Sequence, residues 1–382
     1  MAIQKKSITT LEHIQPDKVD WEILLQLANR HKVRPLLFKG IQKWEINPPN
    51  DFIEKLKKLN FQITTRNLNH TKELLELLSL FAKEKIEVLP YKGILLAQEA
   101  YQDLNAREYS DIDLLINKVD LPRIIRILEN RNYRSELNIP EHLLPHFMKQ
   151  YYEFNFDLVE NGRRVFHLEP HWMIGPKMFQ LAFGFQDFTL VMQQKKIWGR
   201  TMTIFTPAGL LLSTCLHHGG QDQWRNLKQV SDMAAILNQF QHQIDWKHLL
   251  GISRKWKVEN LLLLGVGLAA ELFQLPLPPV LKQPVHNKKI QQYIHWHISS
   301  LETFNQLKLF SKEGIWEGLR YHFVLRSHWS TKIKIAYYHF LKFLLPNEND
   351  INLKHTASDN YWMLLLKKPF RLWSTYFKKP KL

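Results

Sequence analysis

Apolar residues recur at helical spacing through the first part of the chain. Intervals of three and four positions separate them from 21 to 37 and again from 56 to 84. Because this spacing puts the apolar side chains on one face of a helix, we predict an all-helical N-terminal region.

The pattern then changes to one of alternating strands and helices. Ile86–Pro90 is a short β-type run, and a helix can begin directly after Pro90. Asp111–Ile116 has the alternating, β-branched character of a strand, and the segment that follows it carries Pro122 in the first turn of a helix. The order predicts strand, helix, strand, helix.

More strands are predicted downstream of these elements. Glu153–Val159 and Arg164–Glu169 flank a turn-like stretch, and Lys196–Phe205 has the pattern of one further hairpin. Together with the two earlier strands, these segments predict a small mixed sheet packed with helices.

Helical periodicity dominates after Pro207, and Leu275–Pro279 interrupts it. We therefore predict an α+β fold, in which a small mixed-sheet core is flanked by N-terminal helices and a larger C-terminal helical region. The corresponding three segments are residues 1–84, 85–205 and 206–382.

Composition narrows the class of protein. The chain has 382 residues, of which 45% are hydrophobic, and a formal net charge of +16 that favours anionic ligands. Its single cysteine, Cys215, cannot form an intramolecular disulfide or a cysteine-based zinc site. The first residues are polar rather than an apolar signal sequence, and the best apolar run, Leu261–Ala270, is shorter than the roughly 20 residues that span a membrane. We expect a cytoplasmic protein without a transmembrane segment.

Two acids mark the predicted strand at 111–116. Side chains alternate faces along a strand, so Asp111 and Asp113 share one side while Ile112 and Leu114 face the core. Neighbouring carboxylates repel each other unless a cation neutralises them, and Mg²⁺ prefers such oxygen ligands. The pair therefore indicates a metal site, although solvated acids at a strand end have the same spacing.

The residues around this pair resemble a known family. Leu89–Leu96, with its Lys92-Gly93 step, then Tyr101 and Arg107 and the motif Ser110–Ile116, look like the uncharacterised nucleotidyltransferase family of the DNA polymerase beta-like superfamily. His167–Trp172 is similar to the family's Asp-x-His-Trp element, and the resemblance spans roughly residues 20 to 240, including the helices with His217 and Asp232.

The resemblance implies a fold, a reaction and a set of site residues. The sheet would be a nucleotidyltransferase core that transfers a nucleoside monophosphate from an NTP to an acceptor and releases pyrophosphate. Asp111, Asp113 and Glu169 would be the catalytic residues that hold Mg²⁺ or Mn²⁺, and Glu169 would help to deprotonate the acceptor hydroxyl. The residues expected to contact the nucleotide are Lys92, Gly93, Arg107, Ser110 and Lys228.

The chain departs from the wider superfamily in two places. Lys92-Gly93 stands where most members have Gly-Ser, so a lysine replaces a phosphate-binding hydroxyl. The third acid is Glu169 rather than an aspartate, and Asp157 on the neighbouring strand competes with it for this role.

Several of these residues also have purely structural interpretations. Lys92 could be exposed at a helix start, and Arg107 could pair on the surface with Asp103 or Glu108. Lys228 could form a surface pair with Asp232, four residues later.

The histidines are open to two interpretations as well. His171 follows Glu169 by two residues and is either a hydrogen-bonded structural histidine or a residue that orients the acceptor. His217 and His218 end an apolar helix, where interaction with its C-terminus alone explains them.

The acceptor is not specified by the sequence. We expect a small molecule or a peptide, whereas the positive charge keeps a tRNA- or protein-modifying enzyme of toxin type, or a non-catalytic nucleotide- or nucleic-acid-binding module, as alternatives. Residues 361–382 interleave aromatic and basic side chains, which suits nucleic acid, peripheral contact with an anionic membrane, or a helix packed on the protein.

Overall fold

The computed structural model describes residues 15–137, 139–302 and 312–344. Asp20 caps the first helix by accepting a hydrogen bond from the backbone N–H of Ile23 at 2.9 Å. The periodicity over 21–37 is split between two helices, because Pro35 cannot donate the backbone hydrogen bond of a continuous helix. The N-terminal region is helical, as predicted, and comprises α1 (Trp21–Arg30), α2 (Arg34–Lys43) and α3 (Asn50–Lys83).

Five strands form one mixed sheet in this part of the chain. The strands are β1 (Val88–Pro90), β2 (Ile112–Ile116), β3 (Tyr133–Ser135), β4 (Phe156–Glu160) and β5 (Arg163–His171). Their spatial order is β1-β2-β5-β4-β3, in which β2 and β5 are parallel and the other neighbours antiparallel. Every residue of β2 is buried, as expected for a strand inside the sheet. The predicted mixed sheet and α+β class are confirmed.

Helices connect these strands. They are α4 (Gly93–Leu96), which continues as a π-helical turn over Ala97–Tyr101, α5 (Leu121–Asn130) and α6 (Leu144–Gln150). The alternation was predicted as far as α5, whereas β3 and α6 were not predicted. Leu121, Ile124 and Leu128 form the buried stripe of α5 and pack in one cluster with Leu74 and Leu77 of α3. The sheet is therefore held against the last turns of the long N-terminal helix.

Two small hairpins follow the main sheet. The first pairs β6 (Met173–Ile174) with β7 (Phe183–Gly184), and the second pairs β8 (Met192–Ile197) with β9 (Arg200–Phe205). The second hairpin begins at Met192 rather than at the predicted Lys196. Residues 193–196 are exposed and polar, so they show no alternation by which a strand could be recognised.

The C-terminal region is helical, and a break separates α10 from α11 where Leu275–Pro279 predicted it. The helices are α7 (Pro207–Thr214), α8 (Leu227–Phe240), α9 (Trp246–Lys255), α10 (Glu259–Phe273), α11 (Pro279–Val285), α12 (Lys288–Glu302), α13 (Lys312–Leu325) and α14 (Trp329–Leu344). The apolar run of α10 is buried. None of the helices that the structure describes is both long and apolar enough to cross a membrane.

Three hydrophobic clusters hold the described residues together. One joins α1, α2 and the start of α3, a second joins the end of α3 with the sheet, and the third joins the C-terminal helices with Leu89 and Leu115 of the sheet. The division of the chain at residues 84 and 205 stays a prediction. The hypotheses about residues 361–382 lie outside the described residues.

Candidate functional site

Three carboxylates meet at one end of the central strands. Asp113 of β2 stands directly opposite Glu169 of β5 in the parallel register, and Asp111 immediately precedes β2. All three side chains line a cavity of about 440 Å³. Ile112 and Leu114 are buried in the core, so the predicted alternation along β2 turns both aspartates toward the cavity.

Lys92 enters the cavity from the start of α4. Its backbone has φ 56° and ψ −149°, which L-residues rarely adopt, and Gly93 follows with φ +30°. This backbone places the Lys92 ammonium 2.5 Å from Asp113 Oδ1. The lysine is buried, so its interpretation as an exposed helix-start residue is wrong. Although burial favours the neutral amine, the charge of Asp113 outweighs it and raises the pKa of Lys92 well above its ordinary value.

His171 lies between the acids. Its Nε2 is 3.1 Å from Asp113 Oδ1 and 3.3 Å from Glu169 Oε2, while its Nδ1 is 3.1 Å from Glu153 Oε2. Burial favours the neutral ring, but the acids around it raise the pKa of His171 well above its usual range. The surrounding acids therefore favour the imidazolium form of His171, in which the Nε2 hydrogen is donated to Asp113 Oδ1.

The two facing carboxylates differ in basicity. Burial, together with the charges of Asp111 and Glu169, raises the pKa of Asp113 to about 6 in spite of Lys92. Burial also acts against the charge of Glu169, yet hydrogen bonds from His167 and His171 outweigh it and hold its pKa far below the usual range. Glu169 is thus a permanent carboxylate beside a more basic one.

The geometry favours Glu169 over Asp157 as the third acid. Asp157 lies on β4, one strand further from Asp113, and is not among the residues that line the cavity. His167 connects the two, with Nδ1 2.6 Å from Asp157 Oδ1 and Nε2 3.1 Å from Glu169 Oε1. Asp157 thus orients the ring that supports Glu169.

A buried network lies behind the cavity. Arg107 donates to both carboxylate oxygens of Asp232, at 2.8 and 2.9 Å, and the hydroxyl of Tyr101 donates to Oδ1 at 2.8 Å. His218 Nε2 lies 2.9 Å from Asp232 Oδ2. The surface pairs suggested for Arg107, and for Lys228 with Asp232, are therefore wrong, because tertiary packing buries Asp232 completely.

A π-helical turn at Cys215–Gln221 supplies the opposite wall of the cavity. It carries His217 and His218, and Asp222 follows it. The fully buried Trp224 holds the segment in place, because a Cβ on Gly219 would come within 2.8 Å of its indole. His217 and His218 are consequently not explained by a helix end alone.

The remaining predicted nucleotide contacts divide into two groups. Gly93, Arg107 and Lys228 line the cavity, but both carboxylate-facing nitrogens of Arg107 are already occupied by Asp232. Ser110 is exposed and is not among the lining residues. The structure therefore brings together every predicted site residue except Ser110.

Some lining residues gave no clear signal in the sequence. They are Lys32, Glu153, Gln221, Asp222, Arg225, Asn226 and Gln229. Asp222 follows His218 by four residues, a spacing that could have indicated a contact. Lys32 comes from the turn between α1 and α2, where nothing local distinguishes it from a surface lysine.

The donor set at the strand ends fits a hard divalent cation. Ligand atoms of Asp113, Glu169 and His171 all lie within 4.8 Å of one another, and Asp111 lines the same cavity. Because His171 is committed to hydrogen bonds with carboxylates, the donors left for a metal are carboxylate oxygens, which Mg²⁺ prefers.

A cavity at the ends of central strands, lined by carboxylates and lysines, is the kind of site in which phosphate-bearing ligands are bound with a metal. A family model described as an uncharacterised nucleotidyltransferase matches residues 17–274, well over half of the chain. The chain belongs to this nucleotidyltransferase family. The comparisons with curated proteins and with solved structures gave no match.

Proposed function

We propose that the protein is a Mg²⁺-dependent nucleotidyltransferase that transfers NMP from an NTP to an acceptor hydroxyl and releases pyrophosphate. The proposal rests on one observation. Asp113 and Glu169 stand opposite each other on the paired strands β2 and β5, and Asp111 lines the same cavity. A cluster of mutually repelling acids beside a buried lysine suits a ligand that combines a divalent cation with phosphates.

Asp111, Asp113 and Glu169 would hold the metal. When bound, Mg²⁺ neutralises phosphate charge and stabilises the attacking and leaving oxygens. His167 and His171 keep Glu169 ionised at neutral pH, and the register keeps its carboxylate next to Asp113. Mn²⁺ accepts the same oxygen donors and should substitute.

The lysines at the cavity would bind the triphosphate. Lys92 is presented by a helix start at which Gly93 permits a close approach of the backbone. Lys228 and Lys32 add positive charge from two other elements. Arg107 adds positive charge at the cavity wall while its guanidinium is paired with Asp232. Ser110 is exposed, so it would contact only a part of the nucleotide that projects beyond the cavity.

The cavity volume supports a small ligand. About 440 Å³ falls within the range of roughly 300–1,000 Å³ that is usual for small-molecule pockets. We propose that a small molecule or the side chain of a peptide reaches the nucleotide in this space, in the cytoplasm, where NTPs are present. The formal charge of +16 favours a tRNA acceptor as the alternative.

The proposal is tested with the purified protein, cell extract and isotopically labelled NTPs. Mass spectrometry should find a molecule that gains the mass of a nucleotide, with equal release of pyrophosphate, only when Mg²⁺ or Mn²⁺ is present. Glu169→Gln should impair transfer more strongly than Asp157→Asn, which alters an acid outside the cavity.

A binding measurement separates catalysis from simple recognition. At ten times its Kd, Mg²⁺ should stabilise the wild-type protein by about 1.4 kcal/mol in thermal unfolding. Binding of Mg²⁺ and NTP without turnover, across all four nucleotides and the complete extract, would identify a binding module instead of an enzyme.

A further inference from the structure

A second polar cluster faces the acids from the opposite wall of the cavity. His217, His218 and Asp222 each offer a ligand atom within 4.8 Å of the others, on the segment that follows α7. The transfer reaction described above assigns no role to any of them. It does, however, require a group that removes the proton of the acceptor hydroxyl.

The contacts of His217 define which of its nitrogens carries the hydrogen. Lys92 Nζ lies 3.0 Å from His217 Nε2, and because an ammonium can only donate, Nε2 must accept. The hydrogen is then on Nδ1, which lies 3.2 Å from His218 Nδ1 and 3.3 Å from Asp222 Oδ2. Asp222 is itself held by the side-chain amide of Gln229, which donates to the same oxygen at 2.8 Å. His217 therefore presents a lone pair at Nε2, with a carboxylate behind the ring.

The Nε2 lone pair faces the Lys92 ammonium. The Lys92 ammonium contacts both His217 Nε2 and Asp113 Oδ1, so a single side chain connects the histidine with the acids. An attacking hydroxyl that takes the place of the Lys92 ammonium would lie between Nε2 and Asp113. The same contact argues against a metal at this second cluster, since a cation already occupies Nε2.

Two of the three acids, Asp113 and Glu169, already accept hydrogen bonds from neighbouring donors. Glu169 accepts hydrogen bonds from His167 and His171, and Asp113 accepts them from Lys92 and His171. Carboxylates that also hold a metal have little basicity left. The sequence-based expectation that Glu169 helps to deprotonate the acceptor is thus less well supported than a role for the imidazole.

We propose that His217 is the general base of the transfer reaction and that Asp222 is its positioning residue, which rests on the proposed nucleotidyltransferase activity. In this step the acceptor oxygen forms a bond to the α-phosphorus while the bond from that phosphorus to the bridging oxygen breaks. Pyrophosphate leaves with the electron pair, and the acceptor proton passes to His217 Nε2. Burial and the adjacent Lys92 charge lower the pKa of His217 well below its ordinary value, which keeps the ring neutral before the reaction.

Lys92 links this base to nucleotide binding. While its ammonium donates to Nε2, the lone pair is not available to an acceptor. A bound triphosphate attracts the ammonium away from the ring, so the base is released only when the nucleotide is present. The nucleotide should therefore bind before the acceptor.

Three variants of the full chain test the proposal. His217→Gln should lower kcat about 10²- to 10⁴-fold, the usual contribution of general base catalysis, with little change in the KM for NTP. His217→Gly should lose the same activity and recover part of it when imidazole is added. His286→Gln, which alters an exposed histidine at the end of α11, is the matched control and should behave as wild type.

The tautomer gives a readout that does not depend on turnover. In ¹⁵N NMR, His217 should carry its hydrogen on Nδ1 in the wild-type protein, and Asp222→Asn should shift the Nδ1 resonance by weakening the contact at that nitrogen and should lower kcat. Loss of activity without imidazole rescue, or a hydrogen on Nε2 in the wild type, would overturn the role of His217. A wild-type protein that transfers no nucleotide would remove the proposed function, and the general base with it.

Discussion

Two buried aspartates of this protein have opposite electrostatic surroundings. Asp232 is 0% exposed and Asp113 is 4% exposed, so burial alone does not distinguish them. Burial works against both charges, but the Arg107 and His218 donors outweigh it at Asp232 and hold the pKa of that carboxyl below its usual range. At Asp113 burial and neighbouring acids prevail, and the pKa rises to about 6.

The difference lies in how completely each carboxylate is compensated. Asp232 accepts hydrogen bonds from three side chains, those of Tyr101, Arg107 and His218. Asp113 has Lys92 and His171 as donors but shares its surroundings with Asp111 and Glu169. Removing a fully compensated buried acid leaves its cationic partner buried and unpaired, whereas a crowded acid at a cavity wall stores electrostatic free energy that a bound cation can release.

Removing the charge of Asp113 should have the largest effect on activity. Asp113→Asn is expected to lower kcat/KM for transfer on the order of 10⁴-fold, about 5 kcal/mol, because it takes away a metal ligand and the charge opposite Glu169. A pyrophosphate-release assay measures this effect.

Two opposing effects determine the stability of the same variant. The folded-state pKa of Asp113 is raised above its unfolded value, so ionisation of this group costs stability as pH rises through about 6. At pH 7.5 Asp113→Asn removes this cost but leaves the buried Lys92 ammonium and His171 without this counter-charge, so its melting temperature should fall less than that of Asp232→Asn. Turnover close to that of the wild type would show that Asp113 is not part of the catalytic site.

Removing the charge of Asp232 should mainly destabilise the fold. Asp232→Asn leaves Arg107 buried without its carboxylate and is expected to lower the free energy of unfolding by about 3 kcal/mol. Because the folded-state pKa of Asp232 is depressed, its contribution is present above the unfolded pKa and disappears as the pH falls. Urea unfolding at pH 7.5 and at pH 3 measures both effects.

A stability loss that is independent of pH would contradict this account of Asp232. A matched control is Asp245→Asn, which alters an exposed helix cap of α9 and should cost much less than Asp232→Asn.

The sequence revealed the part of the site that depends on local geometry. The alternation along β2 places Asp111 and Asp113 on one side whatever the rest of the chain does, and the mixed sheet follows from the order of strand and helix patterns. The motif around Lys92 and Gly93 likewise lies within one strand-to-helix connection.

Contacts between distant segments could not be derived in this way. The spacing of Lys228 and Asp232 is compatible with a surface pair on α8 and also with a helix that buries one acid. The contacts of Asp232 with Arg107 and Tyr101, which lie outside α8, show that the acid is buried. In the same way, the sequence His218-Gly219-Gly220 is compatible with a helix end. The packing of Trp224 on Gly219, which the sequence does not reveal, fixes this segment at the cavity.

Lys228 is close enough to Asp111 and Asp232 for both charges to affect its pKa. Changing Lys228 should have the smallest effect on activity. Burial and the Arg107 charge lower its pKa to about 8, while Asp232 and Asp111 act in the other direction. Lysine is charged below its pKa, so kcat/KM for NTP should be highest at lower pH and should fall roughly fourfold between pH 7 and 8.5. Lys228→Arg keeps a charge that does not titrate in this range, and its kcat/KM should stay level over the same interval. An equal decline in the arginine variant would assign the titration to another group and remove Lys228 from triphosphate binding.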